Sequence, residues 1–416
     1  MTKTRNHWPS RPIGELLKQV RRPVDLEPDT IYREIGIRSH CKGIFHKPET
    51  SGKRIGEKRV FWVEPGCLVF NIIFAWEQAV AMTSDAEAGM IASHRFPMYC
   101  SRNGQLLPEY VWRYFSTPRG KYDLNVASPG GAGRNKTLGQ EEFKQLKIPV
   151  PPIEYQREVV DVLATTDRTI EGLGKLIAGK RALKKGLAQQ LLTGQRRLPG
   201  FGKPWGTKGL GSLVTLHFSG VDKKTHADEV PVRLCNYTDV YYNDRITSDM
   251  DFMQATASKS EIDSFSLKQW DVIITKDSET PDDIGKPAVV MHDLPGVVCG
   301  YHLAILRPRS VDGLFLAQLL RLPRTRYELY RIANGVTRFG LGQSSLRHLE
   351  LTVPDQSEQA RIAAVLGAAD QEIALLEKKL TALRELKKGL TQKLLGGSAR
   401  APASGPNHPR VAKDKV

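Results

Sequence analysis

The stretch "LKKGLAQQLLTG", Leu183–Gly194, returns as "LKKGLTQKLLGG", Leu386–Gly397. Sliding the chain on itself by 203 places aligns the two copies and keeps them aligned, without a gap, back to Leu138 and Leu341. From Leu146 and Leu349 onward about twenty of forty-nine positions are identical, where ordinary residue frequencies give roughly two to four. The chain is therefore a duplication. A weaker echo opens each half, since "WPSRPIGEL" from Trp8 and "WGTKGLGSL" from Trp205 share the placement of Trp, Gly and Leu. Stacked solenoid repeats run about 20 to 50 residues, so a spacing this long marks a two-fold tandem of a variable module followed by a near-constant segment.

The near-constant segments carry the spacing of helices. Pro151, Pro152 and Pro354 end a preceding strand, and Ser357 is placed to cap the second helix. Beyond it Ile362, Leu366, Ala369, Ile373, Leu376, Leu380 and Leu383 alternate steps of four and three, a heptad seam that Leu390 and Leu394 continue. The first copy offers Val159, Leu163, Thr166, Ile170, Leu173 and Ile177, then an interruption at Lys180 before Leu183, Leu187 and Leu191. Both copies therefore predict a matched phase slip near Leu183 and Leu386. Gly172, Gly174, Gly179 and Gly186 weaken the first helix by about 1 kcal/mol each, so it needs a packed partner, and the second copy is at hand. Lys184, Lys185, Lys387 and Lys388 fall on the flanks of that seam, open to solvent, phosphate or a partner.

The 416 residues exceed one ordinary core. The boundaries predicted are a first module over 1–145, a first helical segment over 146–197, a second module over 198–348 and a second helical segment over 349–397. A basic tail rich in Pro, Ala and Ser, 398–416, is expected to be disordered. The expected fold class is α+β: two mixed α/β modules separated by two long helices packed as an antiparallel coiled coil with pseudo-two-fold symmetry. No apolar run approaches the roughly 20 residues of a membrane span, and the N-terminus lacks the apolar stretch of a signal peptide, so a cytoplasmic location is expected. Five cysteines, never as C-x-x-C, predict buried free thiols and no metal site.

A net charge of +16 favours a polyanionic partner. Basic and aromatic residues interleave late in each module. The first carries Arg102, Arg113, Arg119, Lys121, Arg134 and Lys136 among Tyr110, Trp112, Tyr114 and Tyr122; the second carries eight arginines between Arg307 and Arg347. Glycine-bounded loops, "PGGAGRNK" from Pro129 and "ANGVTRFG" from Ala333, permit close backbone approach. The DNA-contact candidates are Arg113, Arg119, Lys121, Arg134, Asn135 and Lys136 in the first module, and Arg321, Arg324, Arg326, Arg331, Thr337 and Arg338 in the second, because arginine serves both phosphate and guanine edges.

The tandem of modules, each closed by a strand-Pro element ("IPVPPIEYQ" at Ile148, "LTVPDQSEQ" at Leu351) and a helix ending "LKKGL-x-Q-x-LL-x-G", resembles the specificity subunit of a type I restriction-modification system from Trp8 to Gly397. That resemblance implies two target-recognition domains, each reading one half of a split site in double-stranded DNA, with the helices setting the unread spacer. It also implies two methyltransferase (modification) subunits docked on the helices and two restriction subunits in the larger complex. S-adenosylmethionine would then belong to the methyltransferase, ATP and Mg to the restriction subunit, and no cofactor to this chain. One departure stands at the start of the first helix, where Glu154, Tyr155 and Gln156 replace the acidic-Gln pair kept by Glu358 and Gln359.

Catalytic signatures are otherwise missing: there is no G-x-x-x-x-G-K-[ST], H-E-x-x-H or G-x-S-x-G, and no Asn/Asp-Pro-Pro-aromatic loop for adenine methylation. Asp355 with Glu377-Lys378-Lys379 has the spacing of a nuclease metal site, yet helical rise puts them roughly 30 Å apart. A non-catalytic DNA reader is thus expected, against a self-sufficient metal-dependent nuclease or methyltransferase, or a basic coiled coil indifferent to sequence.

Overall fold

The computed structural model describes residues 8–131 and 136–396; Arg134, Asn135 and the tail at 398–416 lie outside the described residues. The chain packs as two compact units, Met1–Gly174 with Lys378–Val416, and Lys175–Glu377. Two 40-residue helices, Ile153–Leu192 and Gln356–Leu395, each give one half to the first unit and the other half to the second.

Within the first unit a four-stranded antiparallel sheet runs in the order Leu17–Val20, Met98–Ser101, Leu68–Phe70, Val80–Met82. The second unit repeats this order with Val214–Phe218, Leu303–Pro308, Val272–Thr275 and Pro287–Val290, and adds Arg245–Ile246 in parallel at the edge. The apolar runs that begin at Cys67, Asp271 and Pro287 supply central strands, because a strand covered on both faces needs apolar residues at every position. A short ribbon closes each unit: Ser10–Pro12 pairs Lys147–Pro149, and Gly206–Gly209 pairs Glu350–Val353. The opening tryptophan of each half thereby lies beside the strand that leads into its long helix.

Two successive helices cover each sheet, Pro108–Phe115 and Pro118–Val126 in one unit, Gly313–Leu320 and Pro323–Arg331 in the other. Pro118 and Pro323 both open a helix, where a missing N–H costs nothing. The first unit buries Phe70, Phe115 and Phe143 with Val159, Leu163 and Leu394; the second buries Leu213, Phe315 and Leu346 with Leu191, Ile362 and Leu366. The ends of both long helices thus belong to the module cores.

One glutamine locks each junction. Gln156, fully buried, accepts from the Leu107 N–H at 2.9 Å and donates to the carbonyls of Gln105 and Pro151. Its counterpart Gln359 accepts from the Asp312 N–H at 2.8 Å and donates to Pro354. Each holds the loop before the module's first covering helix, which explains why glutamine survives where its neighbour changes. That neighbour, Glu358, takes both Arg197 nitrogens at 2.7 and 2.6 Å and the Trp205 indole N–H. In the first unit Tyr155 stands there instead, its ring 5.3 Å from Trp8 and its hydroxyl donating to the Leu394 carbonyl. The helix that begins at Gln356 is capped by Asp355, not by Ser357: the Asp355 carboxylate accepts from the Glu358 N–H at 3.0 Å.

The helix halves run antiparallel in each unit. Lys180 meets Glu372 and Lys184 meets Asp370 in the second unit, while Asp167 meets Lys387 and Tyr155 meets Leu394 in the first. The phase slip expected near Leu183 and Leu386 does not occur. Leu183 is 67% exposed and Leu386 54%, so neither belongs to the seam. Steps of four and three instead continue unbroken through Ile177, Lys180, Lys184, Leu187 and Leu191, and through Leu380, Leu383, Lys387, Leu390 and Leu394. Lysines hold seam positions because a carboxylate waits opposite: Lys184 to Asp370 and Lys387 to Asp167 both measure 2.5 Å. The remaining seam residues, from Val159 and Ile362 through Ile170, Leu173, Ile373 and Leu376, are buried or half-buried.

The cysteines also depart from expectation. Cys67, just before the strand Leu68–Phe70, and Cys100, on the neighbouring strand Met98–Ser101, form a disulfide, while Cys235 and Cys299 are buried and free. The pairing of the two strands brings the thiols together without any C-x-x-C signature. Among the described residues no helix is long and apolar enough to cross a membrane.

Candidate nucleic-acid interface

In the second unit the loop singled out from sequence folds as a hairpin, Ala333–Asn334 against Phe339–Leu341, and the outer strand pairs in turn with Asp277–Ser278. Gly335 makes the turn at φ 129°, where any Cβ would collide with the Arg338 carbonyl. Beside this hairpin opens a cavity of about 690 Å³. Tyr237, Tyr241, Tyr242, Tyr301, His302 and Phe339 wall it, and Asp277, Glu279, Asp283 and Arg338 supply its charge.

Most of that charge is spent internally. Asp277 lies 2.9 Å from His302 Nδ1 and 3.1 Å from Lys276 Nζ. Asp283 accepts from the Tyr241 hydroxyl at 2.8 Å and pairs with Lys286 at 3.0 Å, and these two bonds hold its carboxyl below the ordinary value. Lys286 also sits 3.5 Å above the Tyr241 ring, and Lys276 4.6 Å from that of Tyr301. Glu279 and Arg338 are exposed and form no ion pair among the described residues. Tyr242 is 77% exposed and Tyr301 50%, far more than a ring kept only for packing.

The first unit repeats a backbone ladder found beside that cavity. Leu138 N–H donates to the Ile72 carbonyl and Ile72 N–H to that of Arg95, just as Leu341 donates to Lys276 and Lys276 to His302. Against this ladder lies a cavity of about 530 Å³ lined by Ile72, His94, Gln140, Arg21, Lys58 and Arg59. The two cavities lie beside equivalent ladders, and His94 holds the place of Tyr301, but otherwise different segments line them: Arg21, Lys58 and Arg59 outweigh Asp25 in the first, while the second is aromatic and carboxylate-rich.

The structure separates the sequence candidates. Arg338 lines the cavity and Thr337 is exposed in the same hairpin. Arg119 and Arg324 occupy matching exposed places at the start of a covering helix, beside separate cavities that also include Trp8 and Trp205; Arg119 is held by Asp123 at 3.0 Å. Two residues on, Lys121 is exposed and Arg326 half-buried, and Arg331 pairs with Glu328. Lys136 donates to Asn125 at 2.8 Å. Two candidates are turned inward. Arg113 is buried and bound to Asp167, and Arg321 donates to the carbonyls of Asp244 and Pro287. Both brace their own unit, so neither guanidinium is presented to a ligand. Arg134 and Asn135 lie outside the described residues.

Sequence reasoning passed over Arg21, Lys58 and Arg59 in the first unit, and Tyr242, Glu279 and Tyr301 in the second. A usable signal was present in "KDSETPDD", a dense polar run directly after the buried strand Val272–Thr275. The nuclease-like pair dissolves: Asp355 caps a helix and Glu377 pairs with Arg181 at 2.6 Å. Among the described residues no group of three or more His, Cys, Asp or Glu is placed to hold a metal ion.

The type I restriction modification DNA specificity domain matches residues 72–178 and again residues 203–385, more than half of the chain. The chain belongs to this family. Among relatives of the specificity family, the Type I restriction enzyme MjaVIII specificity subunit of Methanocaldococcus jannaschii is 22% identical over 271 residues, 62% of this chain and 63% of the relative. The putative MjaX specificity subunit of the same organism is 24% identical over 289 residues, 65% of this chain and 63% of the relative. The chain thus spans somewhat under two thirds of the length of these curated relatives. The fold is shared with the HsdS subunit from Thermoanaerobacter tengcongensis, with TM-score 0.53 and 19% identity over 94% of this chain and 97% of that one. It is shared also with the type I S subunit from M. genitalium, with TM-score 0.56 and 14% identity over 95% and 98%. The two-module, two-helix architecture is that of specificity subunits, and the repeated match follows the duplication.

Proposed function

We propose that this protein is the DNA-reading subunit of a type I restriction-modification complex and carries no catalytic site of its own. The modules at 1–145 and 198–348 each read one half of a bipartite site, and the helices hold the unread spacer between them. The observation that carries this reading is one scaffold built twice, with a cleft beside the same backbone ladder in each copy and a different chemistry lining each. A homodimer of one reader would see the same sequence twice; two differently lined clefts see two half-sites.

Two modification subunits are the proposed partners on the helices. On the outer face of the first helix Leu176, Gly179, Leu183 and Gly186 form a small and apolar strip in the second unit. Ala382, Leu386 and Gly389 repeat it on the second helix in the first unit. A strip at helical spacing left open to water suits a partner helix. Restriction subunits complete the assembly, S-adenosylmethionine belongs to the modification subunit, and ATP and Mg²⁺ belong to the restriction subunit. The complex works in the cytoplasm, where the DNA is.

The test is co-expression with the cognate modification subunit followed by genome-wide mapping of methylated adenines. A bipartite motif with an unread gap is expected. A continuous motif, or methylation or cleavage of DNA by the purified chain alone with S-adenosylmethionine or Mg²⁺, would overturn the proposal.

A further inference from the structure

We infer that Glu279 and Arg338 together read one G·C base pair in the half-site assigned to the second unit, Glu279 accepting from the cytosine amino group and Arg338 donating to the guanine. This deepens the function proposed above and rests on it.

Strand register brings the two residues together. Asp277 pairs with Gly340 and Ser278 with Phe339 in an antiparallel ladder. The ladder ends there, and Glu279 and Arg338 are the next residues beyond it on the two strands, where continuing the register would set them opposite each other. Residues directly opposed across antiparallel strands have Cβ atoms about 5 Å apart, close to the spacing between the cytosine N4 and guanine N7 edges of one base pair. Both line the same cavity, and no ion pair joins them among the described residues. Both heads are therefore available to a third party.

Charge makes the carboxylate informative. An exposed, unpaired glutamate in a cleft that faces DNA repels every phosphate it meets, so it weakens binding to all sequences alike. It is tolerated where it gains a hydrogen bond that only some sequences offer. In the major groove cytosine presents an amino donor that a carboxylate accepts, and guanine presents O6 and N7 that a guanidinium takes as a pair. Asp277 and Asp283 are already engaged by Lys276, His302, Lys286 and Tyr241, which leaves Glu279 as the free acceptor. The exposed rings of Tyr242 and Tyr301 line the same cavity.

The experiment uses the complex of this chain with its modification subunit, and duplex libraries in which one half-site at a time is randomised. For the native complex one position of the second unit's half should require G·C. Glu279→Gln exchanges the acceptor for an amide that favours adenine, so preference at that one position should relax by at least about tenfold or shift towards adenine. Arg338→Ala should lose guanine preference at the same position. The other half-site should be unchanged in both variants, and thermal melting should confirm that both fold. Equal weakening on all sequences would show phosphate steering only and overturn the inference, as would an unchanged motif or effects at different positions. If the native complex itself shows no bipartite preference, the functional reading fails first.

Discussion

Asp167 and Asp370 are the carboxylates on which each unit closes. Asp167 takes Arg113 from the covering helix and Lys387 from the opposite long helix; Asp370 takes Lys184 at 2.5 Å and the Gln318 amide at 3.3 Å. Burial works to raise the Asp167 carboxyl, but the hydrogen bonds from Lys387 and Arg113 outweigh it and hold it below its ordinary value. With the folded value below the unfolded one near 3.9, its stabilisation is complete above that range and drains away as pH falls through the folded value. Asp167→Asn leaves Arg113 buried without a counter-charge. At pH 7 it should cost about 2–3 kcal/mol, less than a fully buried pair because the carboxylate is partly exposed. Urea unfolding should show the gap to the native protein closing as the solution is taken towards pH 3; a gap independent of pH would rule out the ionic account. Neither the role of Arg113 nor that of Gln156 was legible in sequence, since an arginine in a basic-aromatic run reads the same whether it faces water or a carboxylate 54 residues away.

At the scale of the element, heptad spacing was legible and its phase was not. Lys180 looked like an interruption and Lys184 like a flank of the seam because a single helix shows no partner; only Glu372 and Asp370 opposite make them seam residues. The leucines that then seemed to restore the seam, Leu183 and Leu386, face outward, and Gly179 and Gly186 share the face of Leu183. A Cβ at Gly179 or Gly186 would meet nothing within 4 Å, so Gly179→Ala should stabilise the chain by about 1 kcal/mol through helix propensity. Leu183→Lys, at an exposed position, should change stability by less than about 0.5 kcal/mol while weakening co-purification with the modification subunit. Thermal melts and pull-downs on the same two variants separate the effects. A loss of stability at Leu183→Lys comparable to the roughly 2–4 kcal/mol of a core truncation such as Ile177→Ala would put Leu183 back in the seam and remove the docking strip.

For the whole molecule, the duplication was the most legible feature because both copies must satisfy the same packing: one glutamine, one carboxylate, one lysine and one heptad ladder per unit. The clefts were illegible for the converse reason, since their lining differs between units and arises from segments far apart in the chain, such as Arg21 with Lys58 and Tyr242 with Tyr301. That contrast carries a prediction. If the shared residues build the frame and the unshared ones read DNA, replacing residues 1–145 by the module of another specificity subunit should rewrite one half of the methylated motif and leave the other intact. Inserting one heptad into both helices in register should leave both half-motifs unchanged and lengthen the gap. Seven residues add about 10.5 Å of helix, close to three base pairs at about 3.4 Å each. A module exchange that altered both halves, or a heptad insertion that altered bases instead of spacing, would show that frame and readers are not separable, and the two-cleft reading would fall with it.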